Sequence, residues 1–341
     1  MRRIERATWP GLLSGLLLAL LAESLVSLCF GAVPLPLADI VSLLYGAADP
    51  QTTLIVVQLR LPRTVLALCV GAMLASSGAV AQGLFRNPLA DPSLIGVAAG
   101  ASVGASIVIV LLGAVHWPIL GLSLVSLGAF VGAMSAVVVI YRVAADASGV
   151  SVSAMLLAGI AISFLAGSFS GVLEFIADNE ALRRMSLWRM GGLERAGFGH
   201  AGISALLCTV VLAAFSRHRL ALNALLLGES EALHLGIPVP RVKLELVALV
   251  ALAVGASVAL AGVIAFVGLI VPHAVRMLLG PDHRYVLPLS AVCGAGLLVL
   301  ADTLARTVVA PVELPLGLIT ALIGAPVFIA LLRRRRDYGM H

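Results

Sequence analysis

Residues 64–81 form an almost wholly apolar run between two polar phrases, Arg60-Leu61-Pro62-Arg63 and Gln82-Gly83-Leu84-Phe85-Arg86-Asn87-Pro88-Leu89-Ala90-Asp91-Pro92. At about 1.5 Å per helical residue, a run of this length just crosses a bilayer core of roughly 30 Å. The two phrases therefore belong at opposite membrane surfaces. The first opens a helix with proline in its first turn, where a missing N–H is harmless. The Asn-Pro and Asp-Pro steps of the second force the backbone out of helix. Composition agrees: 61% of the 341 residues are hydrophobic and 11% charged, against about 45–50% and 25% in soluble domains. The chain reads as an all-α polytopic membrane protein. About ten spans of about 20 residues would use roughly 200 positions, leaving a single transmembrane domain over residues 1–341 and no room for a soluble one.

Arg2, Arg3 and Arg6 precede the apolar run 11–32, which is long enough to span and is followed by no small-residue cleavage site. It is expected to be an uncleaved first span entering from the cytoplasm. Residues 33–60 then form an external loop, span 2 returns inward to Phe85, and Arg86 to Pro92 are cytoplasmic. Span 3 (about 93–115) exits, Trp117-Pro118 turns the chain, and span 4 (about 119–141) returns to a short inside loop with Asp146, Ser148 and Gly149 as turn formers. Span 5 (about 151–175) leads to an external segment, 177–200, expected to carry a short surface helix, and span 6 (about 201–215) returns. The longest internal loop, about 216–243, reads as two short helices, 222–227 and 230–235, each closed by a glycine, Gly228 and Gly236. Spans 7 (about 244–260), 8 (263–279), 9 (286–301) and 10 (314–332) end at Arg333-Arg334-Arg335-Arg336. Fifteen of the 22 Lys and Arg residues then fall inside, so both termini are expected in the cytoplasm. The net charge of +5 follows from that orientation and calls for no nucleic acid. Gly71-Ala72 with Gly78 recurs as Gly255-Ala256 with Gly262, and an inverted repeat of spans 2–5 and 7–10 fits a transporter plan.

Several function classes drop out. The one lysine, Lys243, follows Val242 rather than glycine, so the chain holds no P-loop, and any ATP and Mg would be bound by a separate ATPase on the cytoplasmic side. No H-E-x-x-H, Gly-x-Gly-Asp or Gly-x-Ser-Gly occurs, which argues against an intramembrane enzyme. A proton-coupled secondary transporter needs carboxylates or histidines deep in several spans, and only Glu23 clearly qualifies. Cys29, Cys69, Cys208 and Cys293 are isolated within apolar runs and read as small hydrophobes. His273, at a helix end near Arg276, is expected to be structural, and no metal role is assigned. On span 5, Gly159, Ser163, Gly167 and Ser170 share one face, either for helix packing or as the wall of a translocation path. Leu225, Leu226, Leu233 and Leu235 of the internal loop offer apolar anchors to a soluble partner, while Glu229 and Glu231 argue against a lipid-bound segment. Arg60, Arg63 and Arg306 stand at external helix ends, and Asp302, Arg306 and Glu313 sit near one external surface, where they can pair with each other.

The phrases around span 2 are followed, in order, by Trp188-Arg189-Met190-Gly191-Gly192, Leu222-Asn223-Ala224-Leu225, Leu227-Gly228-Glu229, residues 232–236, Ala265-Phe266-Val267-Gly268-Leu269-Ile270-Val271-Pro272-His273 with Arg276, Asp282-His283-Arg284, Ala301-Asp302-Thr303, Glu313-Leu314-Pro315-Leu316-Gly317 and Gly324-Ala325-Pro326. Over residues 57–332 the set resembles the permease subunits of bacterial ATP-binding-cassette importers for ferric siderophores, haem and cobalamin, the FecCD-like type II importers. The resemblance implies a non-enzymatic permease of the bacterial inner membrane that works as a homodimer. It further implies two ATPase subunits below and a periplasmic binding protein above, with no cofactor in this chain. Carried over residue by residue, it implies docking of the binding protein at Arg60, Arg63 and Arg306. ATPase coupling would fall to Leu222, Asn223, Leu225, Leu226, Gly228, Glu229, Ala232, Leu235 and Gly236, and a cytoplasmic gate to Asn87, Leu89, Val152 and Ser153. The phrase from Gln82 to Pro92 looks slightly more like haem permeases, while ferric siderophore and cobalamin remain open.

Overall fold

The computed structural model describes residues 9–113, 122–146 and 149–337; the Trp117-Pro118 turn, Ser148 and Arg2, Arg3 and Arg6 lie outside them. The chain begins with α1 (Trp9–Cys29), crosses the expected external loop through α2 (Leu37–Leu44) and α3 (Pro50–Thr53), and enters a π-helical segment (Leu54–Arg60) that runs directly into α4 (Leu61–Leu84). Span 2 is thus longer than expected, a continuous 35 residues over Pro50–Leu84. Asp49 starts it, accepting the Thr52 N–H at 2.6 Å with Pro50 in the first turn. After a 3₁₀ turn (Pro92–Ile95) come α5 (Val97–Leu111), α6 (Leu124–Ala144) and a two-residue antiparallel ribbon, β1 (Ala145–Asp146) and β2 (Gly149–Val150). They are followed by α7 (Val152–Ile176), α8 (Asn179–Arg189), which is the expected external helix, α9 (Phe198–Arg217), α10 (Arg219–Leu227) and α11 (Glu229–His234). The last four are α12 (Val239–Ala261), α13 (Val267–Leu279), α14 (His283–Thr307) and α15 (Leu316–Asp337).

Among the described residues, seven helices are long and apolar enough to cross a membrane, and three shorter apolar ones cover Val97–Leu111, Val267–Leu279 and Leu316–Ala330. They coincide one for one with the ten expected spans. For α5 and α13 a later start than expected has a backbone reason. Pro92 and the left-handed Gly96 delay α5, and the left-handed Phe266 delays α13.

Burial ranks the helices. The most apolar stretch of the α4 span is 83% buried, those of α12 and α14 67% and 61%, but that of α7 only 22% and of α1 only 6%. The bundle is therefore built around α4, with α1 and α7 on its outside. The neighbours repeat: α4 packs on α13 and α14 as α12 packs on α5 and α6, and within each set the short helix lies on the next two. This is the contact pattern of two equivalent four-helix units, α4–α7 and α12–α15, and four crossings between α4 and α12 invert one unit against the other.

Water provides no drive between helices in lipid, so close backbone approach through small residues holds the bundle. At the crossing of α4 and α13 a Cβ on Gly78 would overlap the Gly268 carbonyl, and between α5 and α6 a Cβ on Gly104 would overlap that of Gly128. Gly78→Val is expected to destabilise the solubilised protein by about 3 kcal/mol or more, the upper range of overpacking, because the obstacle is backbone. Thermal unfolding in detergent at the wild-type midpoint would refute this.

Candidate functional sites

At the end expected to be cytoplasmic, a cavity of about 450 Å³ is lined by Leu84, Phe85 and Arg86 at the end of α4, by residues 150–153 at the start of α7, by Glu229, and by Val239, Pro240 and Lys243 of α12. Two expected gate residues, Val152 and Ser153, and one expected coupling residue, Glu229, therefore share one space. Asn87 and Leu89 stand beside it and close their own turn: the Asn87 Oδ1 accepts the Leu89 N–H and its carbonyl the Ala90 N–H, both at 3.0 Å. Arg86 enters the cavity wall with a left-handed backbone, φ 48°, an unusual conformation for a side chain of its size. Ser151 caps α7.

The internal loop is shorter than the expected 216–243, because α9 runs to Arg217 and α12 starts at Val239. Its two helices meet at Gly228, φ +129°, and Gly236, φ +80°, follows the second. The facing of the leucines differs in part from expectation. Leu233 and Leu235 are exposed, but Leu222 and Leu225, like Ala224 and Ala232, are packed into the chain's own core, while Leu220 and Leu227 take the outward positions. Leu226 is half-buried. The outward apolar row is thus Leu220, Leu227, Leu233 and Leu235.

Asn223 has a fixed place. Its Nδ2 donates to Asp282 Oδ1 at 2.7 Å, and its Oδ1 accepts the His283 N–H and stands 2.8 Å from His283 Nδ1. That puts the ring proton on Nδ1 and leaves Nε2 to accept from Arg276 at 2.9 Å. The same Arg276 nitrogen donates to the Ala79 carbonyl at 2.8 Å. One continuous network joins α10 to α13, α14 and the last turns of α4. Sequence reading missed it: the only signal was the occurrence of Asp282-His283 and Arg276 near helix ends, with nothing to pair them with Asn223.

At the opposite end, expected to be external, the three arginines are not free. Arg60 and Arg306 are 5% and 4% exposed, which corrects the expectation that they stand at the surface. Arg60 donates to the carbonyls of Leu28 at 2.6 Å, Cys29 at 3.1 Å and Val33, and Arg306 to those of Ser27 and Phe30 at 3.2 Å and to the Ser27 hydroxyl at 2.8 Å. The last carbonyls of a helix have no partners within it and carry its negative pole; two guanidinium groups supply both needs at the end of α1. Asp302, buried, bridges Arg306 at 3.1 Å and Arg63 at 2.8 Å. Arg63 also reaches Glu313 at 2.8 Å, and the 34% exposure of the Glu313 side chain makes this pair the part of the cluster that meets the outside.

The small face of α7 divides. Gly159 and Ser170 are buried, Ser163 is half-buried and Gly167 is open. Packing accounts for the first two, Gly159 lying against Gly96. The outward side of α7 is instead Leu157, Ile160, Phe164, Leu165, Phe169, Val172 and Phe175. Glu23 lies against the backbone of Gly296 on α14, and His273 is buried within α13. Among the described residues no three His, Cys, Asp or Glu side chains converge on a metal-sized point, and the four cysteines are free.

The profile of the FecCD transport family matches residues 17–334. The chain is 46% identical over 281 residues to the hemin transport system permease protein HmuU of Yersinia pestis, covering 82% of this chain and 83% of that one. It is 45% identical over 291 residues to the cobalamin import system permease protein BtuC of Halobacterium salinarum, covering 84% and 75%. A solved inward-facing conformation of a metal-chelate type ABC transporter superposes with a TM-score of 0.84 at 31% identity, over 96% of this chain and 100% of that one.

Proposed function

The chain belongs to the FecCD transport family, and from that premise we propose that the ATP-driven importer it serves as membrane permease carries haem. The permease is a multi-pass inner-membrane protein and not itself an enzyme; ATP is hydrolysed by a separate subunit. Family membership leaves the proton-coupled alternative without support.

The observation that carries the haem reading is the outward face of α7, where Phe164, Phe169 and Phe175 stand among aliphatic side chains. An apolar, aromatic-lined wall suits a flat macrocycle, which it can contact by stacking and dispersion, better than a hydrogen-bonding siderophore. The similarity to a hemin permease supports the same reading. The low burial of α7, 22% in its most apolar stretch, supports a passage on a two-fold axis between two copies of the chain, with Gly167 and Ser163 on its wall.

In this reading the Leu220, Leu227, Leu233 and Leu235 row docks in the ATPase as an amphipathic element in a groove. The cavity at 150–153 closes the cytoplasmic end, and a periplasmic binding protein engages the external surface around Arg63 and Glu313, with Arg60 and Arg306 holding the frame behind it. Uptake is tested in proteoliposomes containing the permease, its ATPase and its binding protein, offered haem, cobalamin or a ferric siderophore. The expected result is haem accumulation that requires both ATP and the binding protein. Accumulation of cobalamin or the siderophore alone would replace the cargo and keep the class; indifference to ATP would end the reading.

A further inference from the structure

Lys243, the one lysine of the chain, is buried on the second turn of α12 with its side chain only 8% exposed. Its ammonium donates to Glu229 Oε2 at 2.5 Å and to the carbonyl of Val150 at 3.1 Å. These two partners belong to different machines. Glu229 is the first residue of α11, immediately after the hinge-like Gly228. Val150 immediately precedes Ser151, the cap of α7, and so fixes where the 150–153 segment begins. The other end of the same internal loop is fastened through Asn223 to Asp282 and His283. A force applied to α11 from below therefore meets, besides the core packing of Ala232, the attachment of α10 to α14 and, at the first residue of α11, an ammonium that also holds the start of α7.

We propose that Lys243 is a positioning residue of the transport cycle: it passes displacement of α11 to the 150–153 gate by holding Glu229 and the Val150 carbonyl on one cation. The proposal rests on the ATP-driven permease reading above. An ammonium with three donors on a flexible stem stays attached to both partners as they shift, which a purely apolar contact in that cavity would not. Methionine at this position keeps the stem's length and loses the cation.

The test uses the complete transporter in proteoliposomes, with ATP hydrolysis and cargo uptake measured together on whichever cargo the wild type accumulates. Lys243→Met is expected to keep the ATPase bound and hydrolysing while the ATP consumed per cargo molecule rises by roughly 5–150-fold, the span of a typical coupling free energy. Lys243→Arg, which donates to both partners, is expected to recover most of the coupling. Glu229→Gln serves as the second variant: it removes the ion pair while leaving the Val150 bond, and is expected to raise the ratio less. An unchanged ratio in Lys243→Met, or a parallel fall of melting temperature, ATPase association and uptake in all three variants, would overturn the proposal and leave Lys243 a structural residue. A wild type that ignores ATP would instead overturn the permease reading itself.

Discussion

Asp302→Ala is expected to cost the folded permease about 3–5 kcal/mol, the range seen when one member of a buried ion pair is removed and its partners stay behind. The carboxylate is 1% exposed and lies between two guanidinium groups, Arg63 and Arg306. Without it two cations remain at low dielectric with only Glu313 to offset one of them. The damage reaches α1, because Arg306 is also the donor to Ser27 and Phe30. Detergent-solubilised Asp302→Ala should therefore melt well below wild type, and proteolysis should attack the α1 end first. Asp302→Asn keeps volume and one acceptor and should lose less. A variant with the wild-type melting temperature would show that solvent or a partner compensates the arginines, and that the cluster does not hold the external frame.

The second large effect is expected at Asn223. Replacement by alanine leaves the buried His283 ring proton and its N–H without their common acceptor, and an orphaned buried polar group costs about 1–3 kcal/mol. The global fold has other supports for α10, since Leu222 and Leu225 are packed in the core. The loss falls chiefly on the attachment of α10 to α14. ATP-driven uptake by Asn223→Ala is expected to drop by roughly 5–150-fold with a smaller change in melting temperature. Asn223→Asp, which retains an acceptor for His283 but sets a second carboxylate against Asp282, should behave nearly as poorly. Uptake at the wild-type rate in Asn223→Ala would show that the network carries no motion.

The apolar helices were legible because each is a continuous apolar run, and lipid demands nothing subtler of a crossing helix. Their ends were less so. Where α5 and α13 begin depends on left-handed backbone at Gly96 and Phe266, and a phenylalanine announces no such turn. The external arginines were misjudged for another reason. A charge at a helix end reads as exposed in one dimension, whereas Arg60 and Arg306 find their acceptors on α1, and for Arg306 these lie 276 and 279 residues away. Likewise the leucine pattern located α10 and α11 but could not say which side faces the protein. Lys243 was visible only as a reason to exclude a P-loop; its partners Glu229 and Val150 meet it through the tertiary fold.

The fastening of α1 bears on how the protein is made. Along its length this helix leans chiefly on α14, and while Arg60 satisfies its Leu28 and Cys29 carbonyls, that of Ser27 is satisfied by Arg306, near the other end of the chain. A ribosome adding about 5–20 residues per second needs some tens of seconds to synthesise Arg306 after α1 has entered the bilayer. During that interval α1 depends on lipid along its sides and on water or Arg60 at its outer end. A helix inserted early is thus among the last to be secured, and a quality-control protease that samples unfinished permeases would find its easiest grip there.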